Sequence, residues 1–224
     1  MWTRKELKER GKTAFKRNYW PSVLAALLMM LVCGGGGAGS GRAASQSSGT
    51  MDAGSSALFG IVMGIIAVCA VIGIIWNIFL AMPVCVGVNR FFLENSRQPA
   101  GIREIGYAFG GGRYFKIIGT QLVKNIFIGL WCLLLVIPGI IKAYEYRMVG
   151  FIQAEEPELG TMECLRRSKE MMKGQKWNTF VLDLSFLGWM ILSGITLGIV
   201  GIFYVNPYMQ ATDAELYLTL KNKQ

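Results

Sequence analysis

"LLLVIPGIIKAYEYRMVGF", residues 133–151, joins two solvents at a proline. The five residues of this stretch that lead to Pro138 are all apolar, whereas Lys142, Glu145 and Arg147 interrupt the apolar run beyond it. A hydrophobic approach, a Pro138-Gly139 turn signal and a return with ionisable groups describe a hairpin of two membrane helices. The second helix then carries charge at depth. Buried charge in hydrocarbon is costly, so such groups face a bundle interior, pair with one another, or mark a polar pathway.

The rest of the chain supports that class. Hydrophobic residues make up 53% of the sequence and charged residues 17%, against roughly a quarter charged in an ordinary soluble domain. Mean hydropathy is +0.40. Residues 18–41, 53–89 and 184–212 contain no Asp, Glu, Lys or Arg, and 125–141 is equally clean. A helix needs about 20 apolar residues to cross the hydrocarbon core, so these stretches have room for one, one or two, two, and one crossing respectively. The opening "MWTRKELKERGKTAFKRNYW" (1–20) reads as an amphipathic helix, not a signal peptide, because the apolar run after Trp20 is followed by glycines and no small-residue cleavage site precedes a soluble mature domain.

The formal net charge is +9. Lys and Arg gather at residues 4–17, 90–116 and 166–176, with Lys221 and Lys223 near the end. Under the positive-inside rule these clusters are cytoplasmic and the intervening turns external, giving cytoplasmic termini and an even number of crossings. This accounts for the charge without nucleic acid as a partner. It also predicts attraction to anionic lipid headgroups at the cytoplasmic face. The sequence has no histidine, which removes Ser-His-Asp, Cys-His and HExxH chemistry. The five cysteines share no CxxC spacing and read as small apolar fillers. No catalytic, cofactor-binding or metal-binding set emerges, and a non-enzymatic protein is expected.

Three stretches resemble one another: "AFKRNYWPSV" (14–23), "GGGRYFKIIG" (110–119) and "MKGQKWNTFV" (172–181). Each places basic and aromatic residues at the start of a hydrophobic run, and each follows a short amphipathic segment. The first, within 1–18, begins with a capping box, Thr3-x-x-Glu6. The second lies around 102–109. The third, within 161–174, puts Cys164, Leu165, Ser168, Met171 and Met172 on one face, and Gly174 is its stop signal. Each unit ends in a proline-bearing segment, at Pro83, Pro138-Gly139 and Pro207, which are read as helix breaks. The expected fold is therefore all-α, a single integral membrane domain over 1–224. It is a polytopic transmembrane helical bundle of about six crossings from three helix-hairpin repeats, with cytoplasmic interfacial amphipathic helices. The Gly/Ser-rich stretch at 34–56 reads as a flexible external loop. It lacks the Lys-Ser/Thr that a phosphate loop requires, and "GKT" at 11–13 and "FGGGRY" at 109–114 fail the same test.

"RKELKERGKTAFKRNYW" (4–20), "LLVIPGIIKAYEY" (134–146), "ECLRRSKEMMKGQKW" (163–177), "FLGW" (186–189) and "NPY" (206–208) together resemble the bacterial domain of unknown function 975 family over nearly the whole chain. More distantly the chain is similar to the membrane domain of some glycerophosphodiester phosphodiesterases. The resemblance implies a multi-pass helical fold in a bacterial plasma membrane, with a variable region at the Gly/Ser loop. It implies no established activity.

At about 1.5 Å per residue, Lys124 lies roughly 13 Å and Asp183 roughly 9 Å inside the membrane from their aromatic anchors Phe115 and Trp177. Asp213 falls near the level of Asp183, and Glu145 and Arg147 lie deeper. Lys124, Lys142, Glu145, Arg147, Asp183 and Asp213 thus form a candidate intramembrane polar site. Tyr144, Tyr146, Asn125, Gln153 and Asn206 are available for hydrogen bonds. Glu145 is expected to pair with Lys124 or Arg147, with Asp183 and Asp213 as other neighbours for Arg147. Two readings fit these charges: ion pairs that fix helix register, or the lining of a pathway. Three function classes follow. The first is a carrier or channel for a small amphiphilic or lipid-like compound; the second is a non-transporting scaffold or accessory subunit for an unknown partner protein. The third, a membrane enzyme, has no metal cluster, nucleophile-base pair or histidine to support it.

Overall fold

A computed structural model of the chain describes residues 2–33, 53–110, 112–196 and 198–223, and every regular element among them is helical. Helix α1 (Arg4–Arg17) precedes α2 (Tyr19–Cys33). Helix α3 (Ala53–Trp76) continues through a π turn (Asn77–Ala81) into α4 (Met82–Arg97). A 3-10 helix (Ile102–Phe109) leads into α5 (Tyr114–Leu134), α6 (Val136–Glu145) and α7 (Val149–Glu155). Helix α8 (Thr161–Met171) is followed by α9 (Lys176–Leu184) and α10 (Leu187–Ile195). A second π turn (Gly201–Val205) opens α11 (Asn206–Lys221). Most of the expected 34–56 loop lies outside the described residues, and α3 starts at Ala53, inside its expected end.

Local signals explain the short helices. The Thr3 hydroxyl accepts from the Glu6 amide at 3.3 Å, so the forward half of the capping box forms. The Glu6 carboxylate instead takes Arg10, one turn on. Leu7, Gly11, Ala14 and Phe15 form the buried stripe of α1, at the spacing of one helix face. On α8, Cys164, Leu165, Ser168 and Met171 are buried, as is Met172 just beyond it. Gly174 has φ +74°, the left-handed turn that favours glycine. Past the 3-10 helix, Gly110, where the segment around 102–109 is expected to stop, has φ −104°, and the positive φ falls two residues on, at Gly112.

The core collects at the end of the bundle that carries the basic clusters. Leu7 and Phe15 of α1, Phe91, Phe92 and Leu93 of α4, Val149 and Phe151 of α7, Cys164 and Leu165 of α8, and Leu216 and Tyr217 of α11 share one buried cluster. Helix α1 lies so close to α11 that a Cβ on Gly11 would sit 2.9 Å from the Thr212 backbone. Buried amides fasten the same end. Asn95 donates to the Ala14 carbonyl at 3.0 Å and accepts from Asn18 at 2.8 Å, and Arg17 donates to the Asn95 carbonyl. Burial pushes the Cys164 thiol up to about 11, so it behaves as an apolar filler. Cys85 departs from that expectation, because it is disulfide-bonded.

Away from this end the helices expose apolar surface. Leu133, Leu134, Val136 and Ile137 at the α5–α6 turn are exposed, as is the whole of 59–76. Among the described residues, three helices are long and apolar enough to cross a bilayer: Phe59–Arg97, Tyr114–Leu134 and Lys176–Ile195. With lipid as the solvent, exposed Leu and Ile are at no disadvantage, and helices satisfy their own backbone groups. The chain is an integral membrane protein. The first of the three spans has 39 residues, about 58 Å at 1.5 Å per residue, nearly twice the hydrocarbon thickness. Its C-terminal part, from Met82 to Leu93, lies largely in the buried core.

The prolines act differently from simple breaks. Pro83 and Pro207 each occupy the first turn of an α-helix that follows directly on a π turn. A proline lacks the N–H that would reach the carbonyl four residues back, and its ring crowds that carbonyl. For Pro83 this is Phe79 O, which accepts from the Tyr114 hydroxyl at 2.6 Å. For Pro207 it is Phe203 O, which accepts from the Tyr19 hydroxyl at 3.2 Å. The wider π turn absorbs the mismatch and the chain stays helical. The chain does leave the helix near Pro138, but at Leu135, which is extended at φ −158°, ψ 133°; Pro138 and Gly139 themselves lie inside α6, so they are not the break positions expected of them.

Candidate functional site

The break at Tyr146–Met148, between α6 and α7, decides where the charges go. It lets α6 end at Glu145 and turns Arg147 to a different neighbour. The Arg147 guanidinium grips Asp183 of α9 with both ends, Nη1 to Oδ2 at 2.6 Å and Nη2 to Oδ1 at 2.9 Å. Nη2 also donates to Asp213 Oδ1 of α11 at 2.7 Å. The Tyr144 hydroxyl donates to Asp183 Oδ2 at 2.8 Å. This is a bidentate fork of the kind guanidinium favours, extended to a second carboxylate. It joins α6–α7, α9 and α11.

Glu145 belongs to a separate cluster, and the expected partners are wrong. Its carboxylate takes Lys142 Nζ at 2.6 Å, one helical turn back, and Lys176 Nζ at 2.5 Å from the start of α9. The backbone carbonyl of Glu145 accepts from Ser168 Oγ at 2.7 Å. With 6% of its surface exposed, a carboxylate at a helix C-terminus faces the negative end of the dipole. Two ammonium groups offset that.

Lys124 pairs with neither acid. Its Nζ donates to Gln121 Oε1 at 2.5 Å, while Gln121 Nε2 donates to Gln153 Oε1 at 2.9 Å and Gln153 Nε2 to the Lys116 carbonyl at 3.2 Å. Of the other expected contributors, Tyr144 and Gln153 join clusters. Tyr146 packs its ring near Phe127 at 6.5 Å, and Asn125 is exposed. The six charged candidates therefore divide into three groups.

Two grooves accompany them. One, of about 310 Å³, runs between α2 and α11 and is lined by Ala26, Met29, Met30, Asn206, Met209, Gln210 and Asp213. It reaches one carboxylate of the Arg147 triad, and Asn206 takes its expected place there. The methionines carried no sequence signal, since their hydropathy is that of any membrane helix. The other, of about 600 Å³, is lined by Trp2, Thr3, Arg4, Lys5, Trp177, Asn178 and Val181. A further ionic knot went unforeseen: Glu155 takes Arg97, the Tyr217 hydroxyl at 2.6 Å and Lys221 at 2.7 Å.

Comparison with known proteins places the chain by family alone. The model described as protein of unknown function (DUF975) matches residues 57–224, and the chain belongs to that family. No curated protein and no solved structure matches it, so the more distant similarity to glycerophosphodiester phosphodiesterases gains no support.

Proposed function

We propose that this DUF975 member is a non-enzymatic carrier of the bacterial plasma membrane that moves a small amphiphilic compound through the α2–α11 groove. The observation that carries the reading is the groove itself. It is open along membrane helices, lined by flexible thioethers, and ends on a carboxylate of an interhelical charge cluster. Small-molecule sites commonly combine an apolar wall with a few polar groups, and intramembrane ionisable residues mark substrate paths.

The topology that goes with it has six crossings: α2, α3–α4, α5, α6–α7, α9–α10 and the π turn with α11. Both termini lie at the cytoplasmic face with the basic clusters. Three repeats of a short helix, an outward helix and a proline-bearing return fit the element order. The two tyrosine-to-carbonyl bonds support the repeat, because each tyrosine opens an outward helix and serves the proline of another unit. The groove at Trp2, Arg4, Lys5 and Trp177 suits an anionic lipid headgroup between aromatic anchors. Nucleic acid has no part in this reading.

One observation favours a scaffold role instead. Residues 59–76 are exposed along their entire length, a helix available to a partner protein. Flux of a fluorescent amphiphile in reconstituted liposomes separates the two. A carrier gives protein-dependent flux that Met30→Trp, filling the groove, reduces at least tenfold. Flux no higher than in empty liposomes, with a stoichiometric partner co-purifying, replaces the carrier with the scaffold.

A further inference from the structure

The Arg147 cluster contains one guanidinium and two carboxylates, so as ionised groups it holds one negative charge more than it neutralises. The two acids share the cation unequally. Asp183 receives both guanidinium ends and the Tyr144 hydroxyl. Asp213 receives one bond, at Oδ1. Among the described residues its Oδ2 has no hydrogen-bond donor, and Asp213 is the acid that lines the α2–α11 groove. The surplus charge therefore sits on the groove side of the cluster.

The remaining polar groups of the groove lean the same way. Asn206, Gln210 and Asp213 follow one another on α11 at the four- and three-residue spacing of one helix face. The side-chain nitrogen of Gln210 donates to Met29 Sδ at 3.2 Å, and that of Asn206 approaches Met30 Sδ at 3.9 Å. With the amide nitrogens turned to sulfur, the Asn206 and Gln210 oxygens remain as acceptors without donors among the described residues. No Lys or Arg lines the groove. It thus offers three oxygen acceptors and a surplus negative charge, walled by polarisable thioethers and open to lipid where Met30 is 47% and Leu31 72% exposed.

We propose that the α2–α11 groove binds the head of a primary alkylammonium amphiphile, its three N–H donors meeting Asp213, Asn206 and Gln210 while its chain lies along the exposed side of α2. An ammonium group supplies the charge that Arg147 leaves uncompensated and the donors that the amide oxygens lack. An anionic head would meet an unpaired carboxylate, and a neutral alcohol would leave the surplus charge in place. This inference rests on the reading of the groove as a ligand site and names the class of compound it takes.

The test uses the full chain in neutral maltoside micelles, with radiolabelled dodecylamine as probe and dodecyltrimethylammonium, dodecanol and dodecyl sulfate as competitors. Saturable binding of dodecylamine at one site is expected, weakened at least tenfold by Asp213→Asn. Dodecyltrimethylammonium, which has no N–H, should compete more weakly, dodecanol weaker still, and dodecyl sulfate not at all. A melting curve for each variant separates lost binding from lost folding. Dodecanol competing as well as dodecylamine, or Asp213→Asn binding as the native chain does, overturns the cation assignment. If Met30→Trp nevertheless blocks that binding, the groove survives as a neutral amphiphile site. If Met30→Trp also leaves binding unchanged, the groove reading falls with it.

Discussion

Replacing Arg147 by Met tests whether the triad holds three helices together. The substitution keeps an unbranched apolar stem of similar reach and removes three charge-assisted hydrogen bonds, two to Asp183 and one to Asp213. Among the described residues it leaves two carboxylates near each other with only the Tyr144 hydroxyl as donor. Breaking a buried ion pair from one side costs about 3–5 kcal/mol, most of it the penalty of the stranded charge. For a chain of this size about 1 kcal/mol corresponds to roughly 2–4 °C of melting temperature, so a fall of roughly 6–20 °C is expected. The triple variant Arg147→Met, Asp183→Asn, Asp213→Asn removes the stranded charges and should recover more than half of the loss. Asp213→Asn alone should change the melting temperature by less than about 3 °C, because Asp183 still neutralises Arg147. Scanning fluorimetry in micelles and in nanodiscs reads all three. Arg147→Met melting with the native chain, or the triple variant melting lower than Arg147→Met, would refute the reasoning.

A double-mutant cycle on Glu145→Gln and Lys176→Met should show coupling of at least about 1 kcal/mol, while Glu145→Gln with Lys124→Met should be additive, since Lys124 meets Gln121 instead. Gly11→Ala should lower stability by about 1–3 kcal/mol through overpacking against Thr212. A variant that melts like the native chain would mean α1 can shift freely. Tyr114→Phe removes the donor to the carbonyl that Pro83 leaves open and should cost about 1–3 kcal/mol. Tyr146→Phe, whose hydroxyl makes no such bond, serves as the control and should be neutral. Equal losses in both would sever the link between the tyrosine and the proline.

Residues that act through segregation or through local geometry were legible in the sequence. The absence of charge over 53–89 and 184–212 keeps those residues out of water, against lipid or in the protein core. The Thr3 cap and the buried face of α8 depend only on neighbours within a turn or two. Pairing at depth was legible in part. Arg147 does meet Asp183 and Asp213, both among the neighbours expected for it, although counting along straight helices places it deeper than either. Glu145 was misread because depth is only one coordinate: the turn at Tyr146–Met148 changes the direction a side chain faces. The long stem of Lys176 also reaches Glu145 from a position that counted as interfacial. Pro83 and Pro207 looked like breaks because a sequence does not reveal that a π turn, with a tyrosine from elsewhere in the chain, can absorb a proline. The α2–α11 groove was invisible for a plainer reason. Met29, Met30 and Met209 serve equally well as filler or as a wall, and only the approach of α11 to α2 distinguishes these roles.

The membrane arrangement underlies every functional statement, and the accessibility of single cysteines tests it most directly. With the native cysteines replaced, Thr196→Cys sits at the turn between α10 and α11, and Lys169→Cys on the exposed side of α8. An impermeant maleimide added to intact cells should label position 196 at once and position 169 only after permeabilisation. Labelling of 169 in intact cells, with 196 protected, would contradict the orientation. Labelling of both in intact cells would contradict the separation of the basic clusters from the apolar turns by a bilayer.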